Sequence, residues 1–368
     1  MVKVLHVIGK MDRAGAETLI MNIYRMIDRR MVQFDFLVFS KEEADYDKEI
    51  KKLGGKIYHM PMFKGYNYLK LNRYFEKFFK AHPYNIVHGH LGSLAPLYLA
   101  KAKKYGAYVI AHSHSTKSNQ FWGSKIYYIL NHRVIHIADY FMACSMQAGI
   151  DRYGERIVRQ NNFKIVNNGI DVEKYKYSIE RHRNLKKVFK VEDKFILGHV
   201  GRFSQEKNHK FLIEIFDDIH KKIENAVLFL VGRGSLEKEI RQLVIEKGLE
   251  RKVFFLGIRE DIPDLMNLFD VFVFPSVFEG LGIAGVEAQA SGLPCFFSDG
   301  IAKEAIITDN VYVYSLGAGA SEWSKKILAV LEKFERKDRS KVVEEAGFDI
   351  RHTALDIQEF YLKNGRSQ

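Results

Sequence analysis

Cysteine is scarce: Cys144 and Cys295 are the only two in 368 residues. Two thiols in apolar surroundings make no disulfide framework, and they read as reduced core thiols of a cytoplasmic protein. No stretch approaches the ~20 apolar residues that cross a bilayer, so the chain is expected to be soluble or peripheral. The opening MVKVLHVIGKMDRAGAE has too short an apolar run and too early a glycine for a secretory signal. Helix-turn-helix, zinc and RNA-recognition patterns are missing, and no nucleic-acid partner is expected. A charge excess is missing from the second half: residues 181–368 hold 29 Lys+Arg against 29 Asp+Glu, while residues 1–180 hold 28 against 16, so the first half carries the whole net charge of +12. A basic half suits an acidic substrate or the anionic inner face of a membrane, and equally a solvated surface that aids solubility.

What is present is enough apolar material, 47% of 368 residues, for two hydrophobic cores. The most informative stretch is residues 270–291, DVFVFPSVFEGLGIAGVEAQAS. The apolar run 271–274, bounded by Pro275, reads as a buried parallel strand, and residues 281–290 carry helical periodicity that ends at Gly292. Gly280 and Gly282, at the expected helix start, let a ligand approach the backbone, where unpaired N–H groups and the helix dipole favour a phosphate. Glu279 precedes the helix, and Glu287 falls about two turns in if the helix begins near Gly280.

The pattern E-x7-E in PSVFEGLGIAGVEAQASGLP resembles the donor-binding signature of retaining glycosyltransferases of family 4, which have the GT-B fold, and most closely the members that build capsular and exopolysaccharide. The resemblance spans essentially the whole chain. It implies an α/β protein of two doubly wound, Rossmann-like domains with parallel sheets facing a central cleft. Residues 1–175 would bind the acceptor and residues 190–340 the donor, with the polar stretch 175–193 as connection and residues 341–368 as a closing segment whose helix returns to the first domain.

Other segments supply the remaining candidates. After the strand 195–200 stands GRFSQEKNH, a glycine-led loop at Gly201 whose Arg202 and Lys207 can set two cations against a diphosphate; it is similar to the family's G-R-x4-K segment. RAGAET at residues 13–18 is similar to the family's glycine loop, with Ala14 in place of the first glycine. By resemblance Gly15 and Ala16 approach the diphosphate or the sugar, and Ile258, after a strand end, lies where backbone groups read the nucleobase. Leu281 completes the donor-binding set with Gly280 and Gly282. HGHLGS and HSHST end two strands. His-x-His puts both rings on one face, as zinc can use, yet no nearby acid or cysteine completes a tetrahedral set. By resemblance His114 sits near the transferred sugar, and His88, His90 and His112 are further candidates. Asp45-Tyr46-Asp47 spells a metal-binding D-x-D, but within a run of charges it reads as a solvated helix face. Two basic, aromatic segments, 63–80 and 117–133, suit either a core-facing helix or contact with a membrane or acceptor.

The resemblance therefore implies a metal-independent enzyme with no cofactor. It would move a sugar, with retention, from a nucleotide-diphosphate sugar, expected to be a UDP-sugar, to a saccharide or polyprenyl-diphosphate-linked acceptor. In that reading Arg202, Lys207 and residues 280–282 neutralise the diphosphate, Glu287 accepts from the ribose, Glu279 contacts the sugar, and His114 orients it. A UDP-sugar 2-epimerase and a non-catalytic nucleotide-sugar binding protein are the alternatives.

Overall fold

Short runs of β-branched and aromatic residues, most of them buried on both faces, form thirteen strands among the described residues, which in this computed structural model are 1–63, 66–114 and 133–365. The chain divides into two units, Met1–Gly169 with Ile350–Gln368, and Ile170–Asp349.

In the first unit the strands are β1 (Val2–Ile8), β2 (Val32–Val38), β3 (Ile57–His59), β4 (Ile86–Gly89), β5 (Tyr108–Ser113), β6 (Tyr140–Ala143) and β7 (Phe163–Ile165). They are hydrogen-bonded in the order β3-β2-β1-β4-β5-β6-β7, all parallel. Strand alternation splits the core in two. Val4 and Ile8 pack with the helices Gly15–Met26 and Ile350–Gly365 on one face, while Leu5 and Val7 pack with Tyr68–Ala81 and Ala95–Lys104 on the other.

The second unit repeats the plan with β8 (Phe195–Val200), β9 (Ala226–Val231), β10 (Val253–Gly257), β11 (Val271–Phe274), β12 (Cys295–Ser298) and β13 (Val311–Tyr314), in the order β10-β9-β8-β11-β12-β13. In both sheets the order reverses beside the first strand, between β1 and β4 and between β8 and β11. Loops diverge at such a point and leave a crevice beyond the strands' carboxyl ends, where open α/β sheets bind ligands.

Several boundaries differ from the sequence reading. The chain leaves the first unit at Gly169, before the polar stretch expected as a connection. Val172–Tyr175, which runs up to that stretch, and Ile179–Val188, within it, are helices of the second unit, the latter tethered by Arg181 to Asp264 at 2.7 Å and Lys186 to Asp270 at 2.9 Å. The closing helix starts at Ile350, and Ser340–Val343 still belongs to the second unit. Cys144 and Cys295 are buried free thiols. Of the two basic, aromatic segments, residues 117–132 of the second lie outside the described residues.

Candidate active site

In the second unit the two loops that diverge at the sheet's reversal are stitched together by backbone and side-chain hydrogen bonds. After β8, residues 201–208 form a loop with a short turn at Gln205–Lys207, and Asn208, in left-handed conformation (φ 54°), starts the helix His209–His220. After β11, residues 275–282 lead into the helix Ile283–Ala290. Val277 N–H donates to Glu206 O at 2.7 Å, Asn208 Nδ2 donates to Pro275 O at 3.2 Å, and Glu279 N–H donates to Gly300 O at 3.1 Å.

That stitching brings Lys207 and Glu279 together across 72 residues, with Nζ 2.5 Å from Oε1. Their side chains are 19% and 12% exposed. The ammonium also lies 4.7 Å from the centroid of the Phe274 ring, so its charge is held on two sides. Arg202, on the same loop, is exposed. Gly201 N–H donates to Val231 O at 2.9 Å, and a Cβ on Gly201 would come within 2.9 Å of His199 Nε2.

The helix after β11 begins later than its sequence suggests. Gly282 is its N-cap at φ 73°, a left-handed conformation that other residues resist, and Ile283 is its first residue. Glu287 is therefore just over one turn in, and the first-turn amides with no helical partner belong to residues 283 and after. Leu281 is buried and Gly280 half-buried. Glu287 Oε1 accepts a hydrogen bond from Tyr175 Oη at 2.6 Å, and burial raises its carboxyl to about 7 despite that donor. Ile258, just beyond β10, is 47% exposed.

In the first unit the glycine loop follows β1. Ala14, at φ −127° and ψ 173°, is in extended backbone open to any residue, so an alanine there costs nothing. Gly15 opens the helix, and a Cβ there would meet Asn168 Nδ2 at an ordinary contact distance of 3.9 Å; Ala16 packs against the core beneath it. Asp45 holds the loop by accepting from Arg13 N–H at 3.1 Å. Asp47 is buried and accepts from Ala44 N–H at 3.1 Å, so the D-x-D acids have separate backbone partners, and Asp47 is not on a solvated face. His114 follows β5, its Nε2 2.7 Å from His90 Nδ1.

Four roles escaped the sequence reading: Tyr175 beside Glu287, Phe274 beside Lys207, Asp45 beneath the glycine loop, and His6, which joins His90 at 2.9 Å. His6 had a signal, a lone polar ring in the apolar strand VKVLHVI. The other three are set by contacts between segments far apart in sequence.

Two doubly wound parallel sheets, one bearing an acid–lysine pair and a glycine-capped helix at its reversal, define a GT-B glycosyltransferase architecture. The chain belongs to the family 4 glycosyltransferases: the model for Glycosyltransferase Family 4 matches residues 13–174, and that for Glycosyl transferases group 1 matches residues 180–346. It is 36% identical over 308 residues to the putative glycosyltransferase EpsF of Bacillus subtilis, covering 82% of this chain and 80% of that one. The capsular polysaccharide biosynthesis glycosyltransferase CapH of Staphylococcus aureus is 24% identical over 98% of this chain and 99% of its own. Over 39% of this chain and 38% of the relative, it is 32% identical to the UDP-Gal:alpha-D-GlcNAc-diphosphoundecaprenol alpha-1,3-galactosyltransferase of Escherichia coli. Among solved structures, Anabaena Alr3699/HepE in complex with UDP and glucose superposes with a TM-score of 0.78 at 20% identity, covering 98% of this chain and 99% of that one.

Proposed function

We propose that this glycosyltransferase moves a sugar from a UDP-sugar to a lipid-linked saccharide, with retention of anomeric configuration, in capsular or exopolysaccharide assembly. The observation that carries the reading is the Lys207–Glu279 pair, 2.5 Å apart at the reversal of the second sheet, beside a helix capped by left-handed Gly282. A diphosphate brought to this loop takes Lys207 as its partner and frees Glu279 for hydroxyls of the transferred sugar. Arg202 and the first amides of the helix add positive potential where charge develops on the leaving group, so its departure requires no metal ion. Glu287 accepts from the ribose, Gly201 and Ile258 frame the nucleotide, and His114, with Gly15 and Ala16, acts on the sugar and diphosphate.

Support for uridine comes from the UDP named with the HepE structure, and support for a lipid diphosphate acceptor from the name of the E. coli relative. The first unit adds a basic, aromatic surface: Tyr66 and Leu69 are 85% and 71% exposed, and Lys70, Arg73, Lys77 and Lys80 line the exposed side of the helix Tyr68–Ala81. No helix among the described residues is long and apolar enough to cross a membrane. We assign this surface to an anionic membrane face, where each Lys or Arg contributes about 1 kcal/mol.

The test is product analysis with radiolabelled UDP-sugars and a polyprenyl-diphosphate saccharide. The reading requires acceptor-dependent UDP release and a glycolipid whose new linkage keeps the donor's anomeric configuration. An epimerised nucleotide sugar formed without acceptor, or nucleotide binding with no product for any sugar tried, would overturn it.

A further inference from the structure

Five histidines of the first unit climb one face of its sheet toward the strands' carboxyl ends. Parallel register sets His6 of β1 beside His88 of β4, and Gly89 beside Ala111 of β5. Because side chains alternate along a strand, His6, His88, His90, His112 and His114 share a face. The rings form two hydrogen-bonded rows. In one, His6 Nδ1 is 2.9 Å from His90 Nε2, and His90 Nδ1 is 2.7 Å from His114 Nε2. In the other, Tyr361 Oη is 2.6 Å from His88 Nδ1, and His88 Nε2 is 3.1 Å from His112 Nδ1.

Burial favours the neutral imidazole throughout the cluster. Burial, reinforced by neighbouring rings, drives His88, His90 and His112 well below the ordinary histidine range; burial lowers His6 to about 3 and His114 to about 4. Each ring then carries one N–H and one lone pair. The first row has three N–H groups for two bonds, so one end keeps an N–H without a partner whichever way the row points. Among the described residues, His6 Nε2, His112 Nε2 and His114 Nδ1 are buried without partners. A cluster so dry, with so many inward lone pairs, is incomplete as a set of hydrogen bonds.

We propose that His90, His112 and His114 form a site for a divalent transition-metal ion of the zinc type. One nitrogen of each lies within 4.8 Å of the other two. The ligands are His90 Nδ1, His114 Nε2 and the unpartnered His112 Nε2. Zinc–nitrogen bonds of about 2.0–2.1 Å hold tetrahedral ligands roughly 3.3 Å apart, so the 2.7 Å pair opens by a few tenths of an ångström. Three neutral imidazoles leave a fourth position open, as zinc accepts.

The outer bonds agree with this assignment. A metal on His90 Nδ1 puts its proton on Nε2, which donates to His6 Nδ1; a metal on His112 Nε2 puts its proton on Nδ1, which donates to His88 Nε2, whose own Nδ1–H donates to Tyr361. One tautomer set thus supplies three inward lone pairs and, for His90 and His112, the outward donors that orient the ligand rings. Such an ion would fix the ring of His114 to β4 and β5. The proposal shares His114 with the donor-site reading but rests on the ring geometry alone, and it puts no metal at the diphosphate.

The test uses full-length protein without a histidine tag, dialysed against chelator and titrated with zinc and, separately, cobalt. We expect one equivalent per chain by elemental analysis, a cobalt d–d absorption band of tetrahedral character, and a higher unfolding midpoint with zinc. His90→Ala and His112→Ala should each lose the equivalent and the band, while His82→Ala, outside the cluster, keeps both. Circular dichroism checks that each variant folds. Should the two histidine variants not fold, Tyr361→Phe, which removes only an outer hydroxyl, should weaken zinc binding about tenfold. No stoichiometric binding by the native protein, or binding undiminished in the folded variants, would show that the rings are a hydrogen-bonded cluster only.

Discussion

Lys207 and Glu279 are each other's partner in the structure and are assigned different partners in the complex with donor. Their substitutions should therefore separate. Lys207→Ala removes a charge-assisted bond to the diphosphate, worth about 1.5–3 kcal/mol, and should weaken nucleotide binding roughly 10- to 100-fold in calorimetry. Glu279→Gln removes a contact to the transferred sugar. It should lower kcat by about 100-fold while nucleotide affinity changes little. Turnover of Glu279→Gln equal to native would contradict the role given to Glu279.

Glu287 gives a pH signature. Burial holds its carboxyl at about 7, well above the ordinary glutamate range. The folded state then binds the proton more tightly than the unfolded chain, so this group adds no penalty below about 4.5, costs increasing stability as pH rises toward 7, and costs the full amount above it. Glu287→Gln lacks that dependence. Urea midpoints should show the variant gaining on the native protein across that window and keeping a constant advantage above it. Both acids and Lys207 were legible in the sequence because glycine-rich loops at strand ends advertise them. Their environments were not, since Tyr175 lay in a stretch that reads as a connection by its charge.

At the scale of elements, strand positions follow apolar runs, and the strands least legible are those without a strong run: FKI at β7 and the half-exposed VYVY at β13. The late start of the helix Ile283–Ala290 was hidden for a different reason, since helical periodicity continues through Leu281, and only the left-handed backbone of Gly282 breaks it. Gly282→Ala should cost about 1–2 kcal/mol for the conformation, and its Cβ would also press on Phe274, 2.9 Å away. Gly232, at φ 134° after β9, is tighter still, because a Cβ would land on the backbone carbonyl of Gly201. Gly232→Ala should cost roughly 3 kcal/mol or more and, by displacing the loop that carries Lys207, weaken nucleotide binding as well. Denaturant unfolding of the two variants checks the order.

For the whole molecule, the two-sheet architecture was legible from the repeated strand–helix alternation and the family resemblance, whereas the exchange point at residue 169 was not, because the helix 179–188 looks like a solvated linker until its partners Asp264 and Asp270 are known. The asymmetric charge, +12 in the first 180 residues, bears on association. Native protein should co-sediment with vesicles rich in anionic lipid and be released by salt. Changing Lys70, Arg73, Lys77 and Lys80 to glutamine should remove roughly 4 kcal/mol of that attraction. Binding that survives both would contradict the membrane assignment.

The donor site is the central claim, and thermal unfolding in the presence of UDP, GDP, ADP, dTDP and CMP, on native protein and on Lys207→Ala, tests it most directly. At about 100 times its dissociation constant a ligand of the folded state adds about 2.7 kcal/mol. The account predicts that UDP raises the native midpoint more than the other four and that the variant loses most of the rise at the same concentration. A native protein that is folded yet indifferent to all five nucleotides, or a UDP shift unchanged by the loss of Lys207, would contradict it.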